Sequence, residues 1–389
     1  MFSHWRAITL KYSLSGYQQN GTCAKSTYAI GEVGLKIAII GGGIAGAEIL
    51  RNALPGPFEI TLIEPKQQIE CQALYPEYLA GMVRIEDLTA PLKPFCERVG
   101  AKFVNERAIR LEENLVICNK SQVEYDLAVI ATGAIQNYFG ILGADKTFSV
   151  NSLEGTMKAR DFLERRKPDK IAIIGAGLTG IEIACNLMES TDSSIYLVET
   201  KTRVLPQFSE NISRMIEKTL SEKSVKILAS TKVLEIKEDR IELTGGKSME
   251  CDMAIWTAGI KPCDLVQSLP LAKWRNEWIL ADPYLRASEN IFALGDNAWI
   301  DIDGKVASKT AVEAERQARY MAKNLARLAE GKSLKRYSIL ASTDSQVALI
   351  SIGRECAVGV YGDVCVTMPT KIIHALKYWI DKSFIQRFK

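Results

Sequence analysis

Two stretches of this chain carry the same alternation of apolar and polar positions. "KIAIIGGGIAGAEIL" begins at Lys36, and "KIAIIGAGLTGIEIA" begins at Lys170, 134 positions later. In each, a run of β-branched apolar residues reads as a buried strand, a glycine cluster interrupts it, and apolar residues then return at helical spacing. A second apolar run follows each time: "EITLIEP" from Glu59 to Pro65, and "SIYLVET" ending at Glu199. Strand, glycine turn, helix and strand make a βαβ unit, which sets its two strands side by side and parallel.

The rest of the pattern falls into the same two halves. "EYDLAVIATGA" (Glu124 to Ala134) and "CDMAIWTAGIKP" (from Cys251) read as buried strands ending in Ala131-Thr132-Gly133 and Thr257-Ala258-Gly259. "NIFALGDNAWI" reads as a short strand ending at Gly295-Asp296, before a helix from Lys309 to about Leu328. "SQVALISIG" and "CAVGVYG" are strand-like, and a helix is predicted from Lys371 onward. A repeat this long does not suit a solenoid; it suits a duplicated domain.

The two turns carry the chemistry. In G-x-G-x-x-G the first glycine makes the tight turn, the second admits the pyrophosphate, and the third lets helix and strand pack closely. The helix start then offers unpaired N–H groups to phosphate. Here the sets are Gly41, Gly43, Gly46 and Gly175, Gly177, Gly180. An acid about 20 residues on, able to hold a ribose, completes the context. Glu64 stands 18 residues beyond Gly46, and Glu199 stands 19 beyond Gly180. A carboxylate at Glu199 repels a 2′-phosphate, so NADH is expected over NADPH, with Lys201 and Arg203 nearby as the cations that would soften that choice. The fold class predicted is α/β, two Rossmann-like dinucleotide-binding domains followed by a C-terminal segment.

Composition narrows the chemistry. The 389 residues suffice for two or three domains, and 47% hydrophobic with 24% charged is ordinary globular usage. A net charge of +3 gives no general attraction to nucleic acid. Nine scattered cysteines lack any CxxC or zinc spacing, and the two histidines, His4 and His374, leave little for a histidine-ligated metal or a Ser-His-Asp triad. No metal is expected. Residues 1–35 carry no acid before Glu32 and lack a secretory apolar core. They read as an extension outside the fold, disordered or targeting.

Two dinucleotide cradles on one chain imply two nucleotides that meet, a nicotinamide as hydride donor and a flavin as acceptor. The chain from Lys36 to Lys389 resembles the two-dinucleotide-binding flavoproteins. That resemblance implies FAD in the first cradle and NADH in the second, inserted one. It also implies FAD contacts at Thr132 and Gly133, a nicotinamide-side contact at Gly259, and the FAD ribityl chain on Gly295-Asp296. The expected boundaries are 36–147 and 266–332 for the FAD domain, 148–265 for the NAD(H) domain and 333–389 for the C-terminal region.

Within that superfamily the chain is similar to type II NADH:quinone oxidoreductases. The similarity lies in Pro76, Glu77 and Gly81, in Glu182 of "GAGLTGIEIA", and in "VETKTRVLP", "TAVEAERQARYMAKNL" and "SIGRECAVGVYG". It implies an NADH dehydrogenase passing electrons through FAD to a membrane quinone of the ubiquinone or menaquinone type without proton pumping, with Glu182 as the catalytic residue near the nicotinamide, positioning the carboxamide or relaying a proton. Cys71 has no partner at disulfide-reductase spacing. Where the family keeps two quinone-site glutamines, this chain has Val312 and Arg316, with Gln317 one residue later. The alternatives are a sulfide:quinone oxidoreductase-like enzyme, for which Cys356 stands without the expected second cysteine, and a soluble NAD(P)H-dependent reductase of a small redox protein.

The tail "TKIIHALKYWIDKSFIQRFK" sets Ile372, Ile373, Leu376, Trp379, Ile380 and Phe384 on one arc of a helix, with Lys371, His374, Lys377, Asp381 and Lys382 opposite. That pattern suits a helix lying in a bilayer interface, and a packed C-terminal helix or a homodimer interface is its competing use. The expected location is peripheral, on the cytoplasmic face of the cell membrane, or on the mitochondrial inner membrane in a eukaryote.

Overall fold

The computed structural model describes residues 34–275, 277–366 and 370–389. The expectation for the N-terminal extension falls almost entirely outside them. The first half opens with β1 (Leu35–Ile40), α1 (Ile44–Ala53) and β2 (Phe58–Ile63), followed by α2 (Tyr75–Leu79), β3 (Lys102–Val104) and β4 (Leu127–Ile130). The second contains β5 (Phe148–Ser149), α3 (Leu153–Arg166), β6 (Lys170–Ile174), α4 (Leu178–Ser190), β7 (Ser194–Val198), β8 (Lys226–Leu228) and β9 (Met253–Trp256). The chain then returns through β10 (Ile291–Ala293) and α5 (Ala311–Ala329) to β11 (Val347–Ser351), β12 (Ala357–Tyr361), β13 (Val364–Val366) and α6 (Thr370–Gln386).

The two halves share one strand order. The first sheet runs β10-β4-β1-β2-β3 and the second β5-β9-β6-β7-β8, every neighbouring pair parallel. In both, the strand that feeds the glycine turn is central. Ile39 lies opposite Leu62 and Val129, and Ile173 lies opposite Leu197 and Ile255, all of them buried. Helices cover both faces of such a sheet, which is why these strands read as unbroken apolar runs.

The duplication extends further than the glycine turns. Each half also carries a three-stranded antiparallel sheet before its fourth central strand: 108–112, 115–118 and 122–124 in the first, 233–236, 240–243 and 247–250 in the second. The apolar pattern did not announce these sheets, because their strands are short and largely solvent-facing, as in the alternating exposure of Arg240–Leu243. Two short strands, Ile135–Gln136 and Ile260–Lys261, pair antiparallel where the chain leaves the first half and where it returns.

The C-terminal region is a three-stranded antiparallel sheet, β11-β12-β13, with α6 packed on it. Here the expected helical wheel needs correction. Ile373, Lys377, Phe384 and Ile385 are buried, whereas Ile372, Leu376, Trp379 and Ile380 are exposed. The expected apolar arc is thus split. Its Ile373 and Phe384 edge docks on the protein, with Phe384 and Phe95 both packed edge-on against Phe388. Lys377 and Asp381, assigned to the polar side, turn inward to a set of buried carboxylates. No helix among the described residues is long and apolar enough to cross a membrane.

Candidate functional site

The first cradle is built by close backbone approach. Gly41 adopts φ +108°, and a Cβ there would stand 2.3 Å from the Ala131 carbonyl oxygen. A Cβ on Gly46 would stand 1.9 Å from the Gly41 oxygen, so the α1–β1 crossing tolerates only glycine. At Gly43, by contrast, a Cβ would meet no protein atom within 4 Å, so the front of the turn is open to a ligand. Glu64 accepts from the Gly42 N–H at 2.7 Å and from the Lys66 N–H at 2.9 Å, bracing the turn from the end of β2.

The end of β4 and the Gly295-Asp296 turn are joined by one side chain. Asn297 accepts from the Gly133 N–H at 3.3 Å and donates to the Ile130 carbonyl at 3.2 Å. Gln317 on α5 accepts from the Gly295 N–H at 2.7 Å. Thr132 Oγ1 is buried without a partner, which leaves a polar group available to a ligand. Burial pushes the Asp296 carboxyl above its usual range, against the pull of the Lys309 cation. An open turn, an orphaned hydroxyl and a deeply set aspartate fit a dinucleotide cofactor with a polyol linker. Gly41, Gly43, Gly46, Glu64, Thr132, Gly133, Gly295 and Asp296 would hold it.

The second cradle repeats the construction. Gly175 has φ +109°, a Cβ on Gly180 would stand 2.0 Å from the Gly175 oxygen, and Gly177 faces open space. Glu199 accepts from the Ala176 N–H at 2.9 Å, the Lys201 N–H at 2.8 Å and the Thr200 hydroxyl at 3.0 Å. Thr257, unlike Thr132, is satisfied, donating to the Gly175 carbonyl at 2.9 Å. Gly259 takes φ +70° against the Phe139 ring. Arg203 is not a cofactor cation. Its guanidinium donates to the carbonyls of Leu205, Pro206 and Phe208 and to the Ser213 hydroxyl, stapling the loop after β7.

Glu182, two residues beyond Gly180 on α4, is buried in a four-residue charge cluster. Lys377 Nζ lies 2.9 Å from Glu77 Oε1, 3.1 Å from Asp381 Oδ2 and 3.6 Å from Glu182 Oε1. It also donates to the Ala73 carbonyl at 3.4 Å. Glu182 Oε1 accepts from the Ser351 N–H at 2.9 Å. Three carboxyls share one ammonium, and Glu77 Oε2 has no partner at all. Burial, reinforced by Glu77 and Asp381 and opposed by Lys377, raises Glu182 from 4.5 to about 7. Burial opposes the charge on Lys377, but the three carboxyls win and raise its pKa well above the ordinary value. The set can therefore hold one exchangeable proton near neutral pH.

The sequence pointed to Glu182 and, through the Pro76–Gly81 similarity, to Glu77. It missed Lys377 and Asp381, whose i, i+4 spacing inside an apolar helix was the available signal. Nearby, Cys71 is buried, its thiol donates weakly to the Asp381 carbonyl at 3.7 Å, and burial pushes its pKa up. The eight described cysteines are all free thiols. Of the positions compared with the family's glutamines, Val312 is exposed, Arg316 bonds Ser338, and only Gln317 reaches the cofactor turn.

The sequence pattern of the pyridine nucleotide-disulphide oxidoreductase family matches residues 35–318. The chain belongs to that family. Among its relatives, a type II NADH:quinone oxidoreductase of Staphylococcus epidermidis is 25% identical over 365 residues, covering 84% of this chain and 90% of the relative. Solved structures share the fold. NDH2 of Plasmodium falciparum in complex with NADH superposes with a TM-score of 0.77 at 18% identity, covering 90% of this chain and 98% of that one. A sulfide:quinone oxidoreductase of Aquifex aeolicus gives 0.79 at 20% identity, covering 91% of each chain. The family's two-nucleotide plan accords with the duplicated cradles, and the charge cluster lies where α4 of the second cradle meets α2 of the first half and α6.

Proposed function

We propose that this chain is an FAD-dependent NADH dehydrogenase that delivers electrons to a membrane quinone. The observation that carries this reading is Glu182. One helix presents both the glycine turn suited to NADH and a carboxyl held near neutrality by burial. Bound FAD supplies the two-electron carrier between donor and acceptor. The net reaction, NADH + H⁺ + quinone → NAD⁺ + quinol, needs one proton beyond the hydride, and the Glu182 carboxyl is the group placed to give it.

The chain's own residues do the rest. Gly177 and Glu199 seat the nicotinamide nucleotide. Gly43, Glu64 and Asp296 would seat the flavin nucleotide, and catalysis then rests on orienting donor and acceptor toward one another. Lys377 binds Glu77 and Asp381, and burial, reinforced by those two carboxyls, raises Glu182 so that it can carry the proton. No proton crosses the membrane in this scheme, because the donor and the acceptor side share one proton reservoir.

Supply of quinone is read from the surface. Ile372, Leu376, Trp379 and Ile380 on α6, with Tyr361, Val364 and Val366 on the adjoining strands, expose large apolar side chains. Lys371 and Lys382 flank them. We read this face as resting on an anionic lipid surface, peripheral to the membrane, with a homodimer as the outcome that would contradict it.

The test uses the purified chain. It should be yellow, be bleached anaerobically by NADH, and recover its colour on mixing with a ubiquinone or menaquinone analogue. Bleaching without quinone-dependent recovery would overturn the acceptor, and a colourless protein would overturn the whole reading.

A further inference from the structure

Lys309 is a half-buried cation with no acid bonded to it. Its Nζ donates to the Ala298 carbonyl at 2.8 Å and the Asp296 carbonyl at 3.1 Å, and stands 3.9 Å from the centre of the Trp278 ring. Among the described residues no carboxylate oxygen lies within ion-pair distance of it. Two carbonyl dipoles and a ring face solvate an ammonium, but they do not neutralise it. Burial therefore lowers its pKa from 10.5 to about 8, with Asp296 pulling the other way. The group remains mostly charged at pH 7.

Its position is between the two cradles. Lys309 lines a cavity of about 250 Å³ together with Leu178, Gln207, Trp299, Thr310 and Gln346. Leu178 is the first residue of α4, directly after Gly177. The Asp296 carbonyl that Lys309 binds belongs to the turn assigned to the flavin's polyol chain. The cation thus sits at the flavin turn and faces the corridor toward the second cradle. Hydride transfer brings two electrons and one proton to the flavin, leaving one added negative charge. A fixed cation beside it stabilises that reduced form.

We propose that Lys309 sets the electron affinity of the bound flavin, by placing a positive charge with no carboxylate at ion-pair distance beside the Gly295–Ala298 turn. The proposal rests on FAD occupying the first cradle. A native protein that binds no FAD therefore fails that reading and is distinguished from a failure of this one.

The test measures the two-electron reduction potential of the bound flavin by anaerobic dye equilibration. It compares native protein, K309M, which keeps length without charge, and K309R, which keeps charge. K309M should shift the oxidised/reduced equilibrium toward oxidised by about tenfold, about 30 mV for a two-electron couple. K309R should stay within about threefold of native. Binding of NAD⁺ should change less than about twofold in both variants. An unchanged potential in flavin-loaded K309M overturns the proposal. A loss of NAD⁺ affinity at unchanged potential overturns it too, and assigns the cation to the pyrophosphate of the second nucleotide. A second measurement covers a K309M that fails to hold flavin. Sulfite adds to flavin N5, its lone pair forming the N–S bond while an electron pair enters the ring, so the adduct is anionic. The native protein should form that adduct at millimolar sulfite, and its failure to do so overturns the proposal.

Discussion

Lys377 Nζ stands 3.6 Å from Glu182 Oε1, although one belongs to the last helix and the other to the second glycine-turn helix. This contact joins the C-terminal region to the nucleotide-binding core through charge, beside the apolar packing of Phe388 against Phe384 and Phe95. Burial nevertheless outweighs the pull of that ammonium and leaves Glu182 raised to about 7, beside the second glycine turn.

Removing that carboxyl should separate the two half-reactions. In E182Q, flavin reduction by NADH should fall less than tenfold, whereas reoxidation by quinone should slow about 10²-fold, within the range for loss of a general acid. Because Glu182 is raised to about 7, the native reoxidation rate should fall as pH climbs through 7, and E182Q should lack that limb. Stability has the same sign. A folded-state pKa above the ordinary 4.5 contributes stability that is full below about pH 4.5 and is lost as pH rises through about 7. Stopped-flow reoxidation across pH 5.5–8.5 checks the rate claim, since loss of both half-reactions together would mean a merely structural role.

Lys377 is the only cation bonded to the cluster among the described residues. K377M leaves Glu77, Glu182 and Asp381 facing one another in a buried site, and breaking a buried pair costs about 3–5 kcal/mol. Thermal unfolding should show the loss at pH 8 and less of it at pH 5, where Glu182 holds its proton. Adding E77Q to K377M should restore part of the stability, because it removes the carboxylate that lies closest to the lost ammonium. A melting temperature for K377M equal to native at pH 8 would contradict the buried geometry.

Much of this architecture is legible in the residues alone. Gly41, Gly175 and Gly295 take positive φ, and Gly46 and Gly180 leave no room for a Cβ, so the turns demand glycine and leave a local signature, and the acids after them stand at a fixed spacing. The antiparallel sheets at 108–124 and 233–250 do not, because half-exposed strands of three to five residues carry little periodicity. Lys377 and Asp381 were misplaced for a different reason. A helical wheel sorts side chains by polarity, and here a polar pair faces inward because buried carboxyls from α2 and α4 meet it. Lys309 left no pattern at all, since its partners are backbone carbonyls and a ring.

Cofactor preference should follow Glu199 and ignore Arg203. The native chain should favour NADH over NADPH by at least tenfold in kcat/KM, because Glu199 directly follows β7, where its carboxylate would repel a 2′-phosphate, and the Arg203 guanidinium is committed to the 205–213 loop. R203M should lower the melting temperature while leaving that ratio within about twofold. A gain or loss of NADPH use in R203M would return Arg203 to the cofactor site.

Gly46 tests the first cradle directly. G46A places a Cβ 1.9 Å from the Gly41 oxygen, well inside contact distance, so α1 must retreat from β1. The variant should purify with little or no FAD. G43A faces open protein space and collides only with a nucleotide that approaches the turn, so it should weaken FAD binding without lowering the melting temperature of the flavin-free protein. If G43A binds FAD as tightly as native, the phosphate does not approach at that turn.

The membrane reading depends on which side of α6 is covered. The buried line of Ile373, Lys377, Phe384 and Ile385 already holds the helix to the protein, so the exposed Ile372, Leu376, Trp379 and Ile380 are not needed for folding. Replacing Leu376 and Trp379 with aspartate should therefore leave the melting temperature, bound flavin and NADH-driven bleaching near native values. It should nevertheless abolish co-sedimentation with vesicles containing anionic lipid, and sharply lower turnover with a long-chain quinone presented in those vesicles. Turnover with a water-soluble short-chain quinone should survive, because the charge cluster lies on the opposite, docked side of the helix. Sedimentation of the native chain as a stable dimer that the same two substitutions dissociate, with vesicle binding unchanged, would assign the face to a second copy of the chain instead.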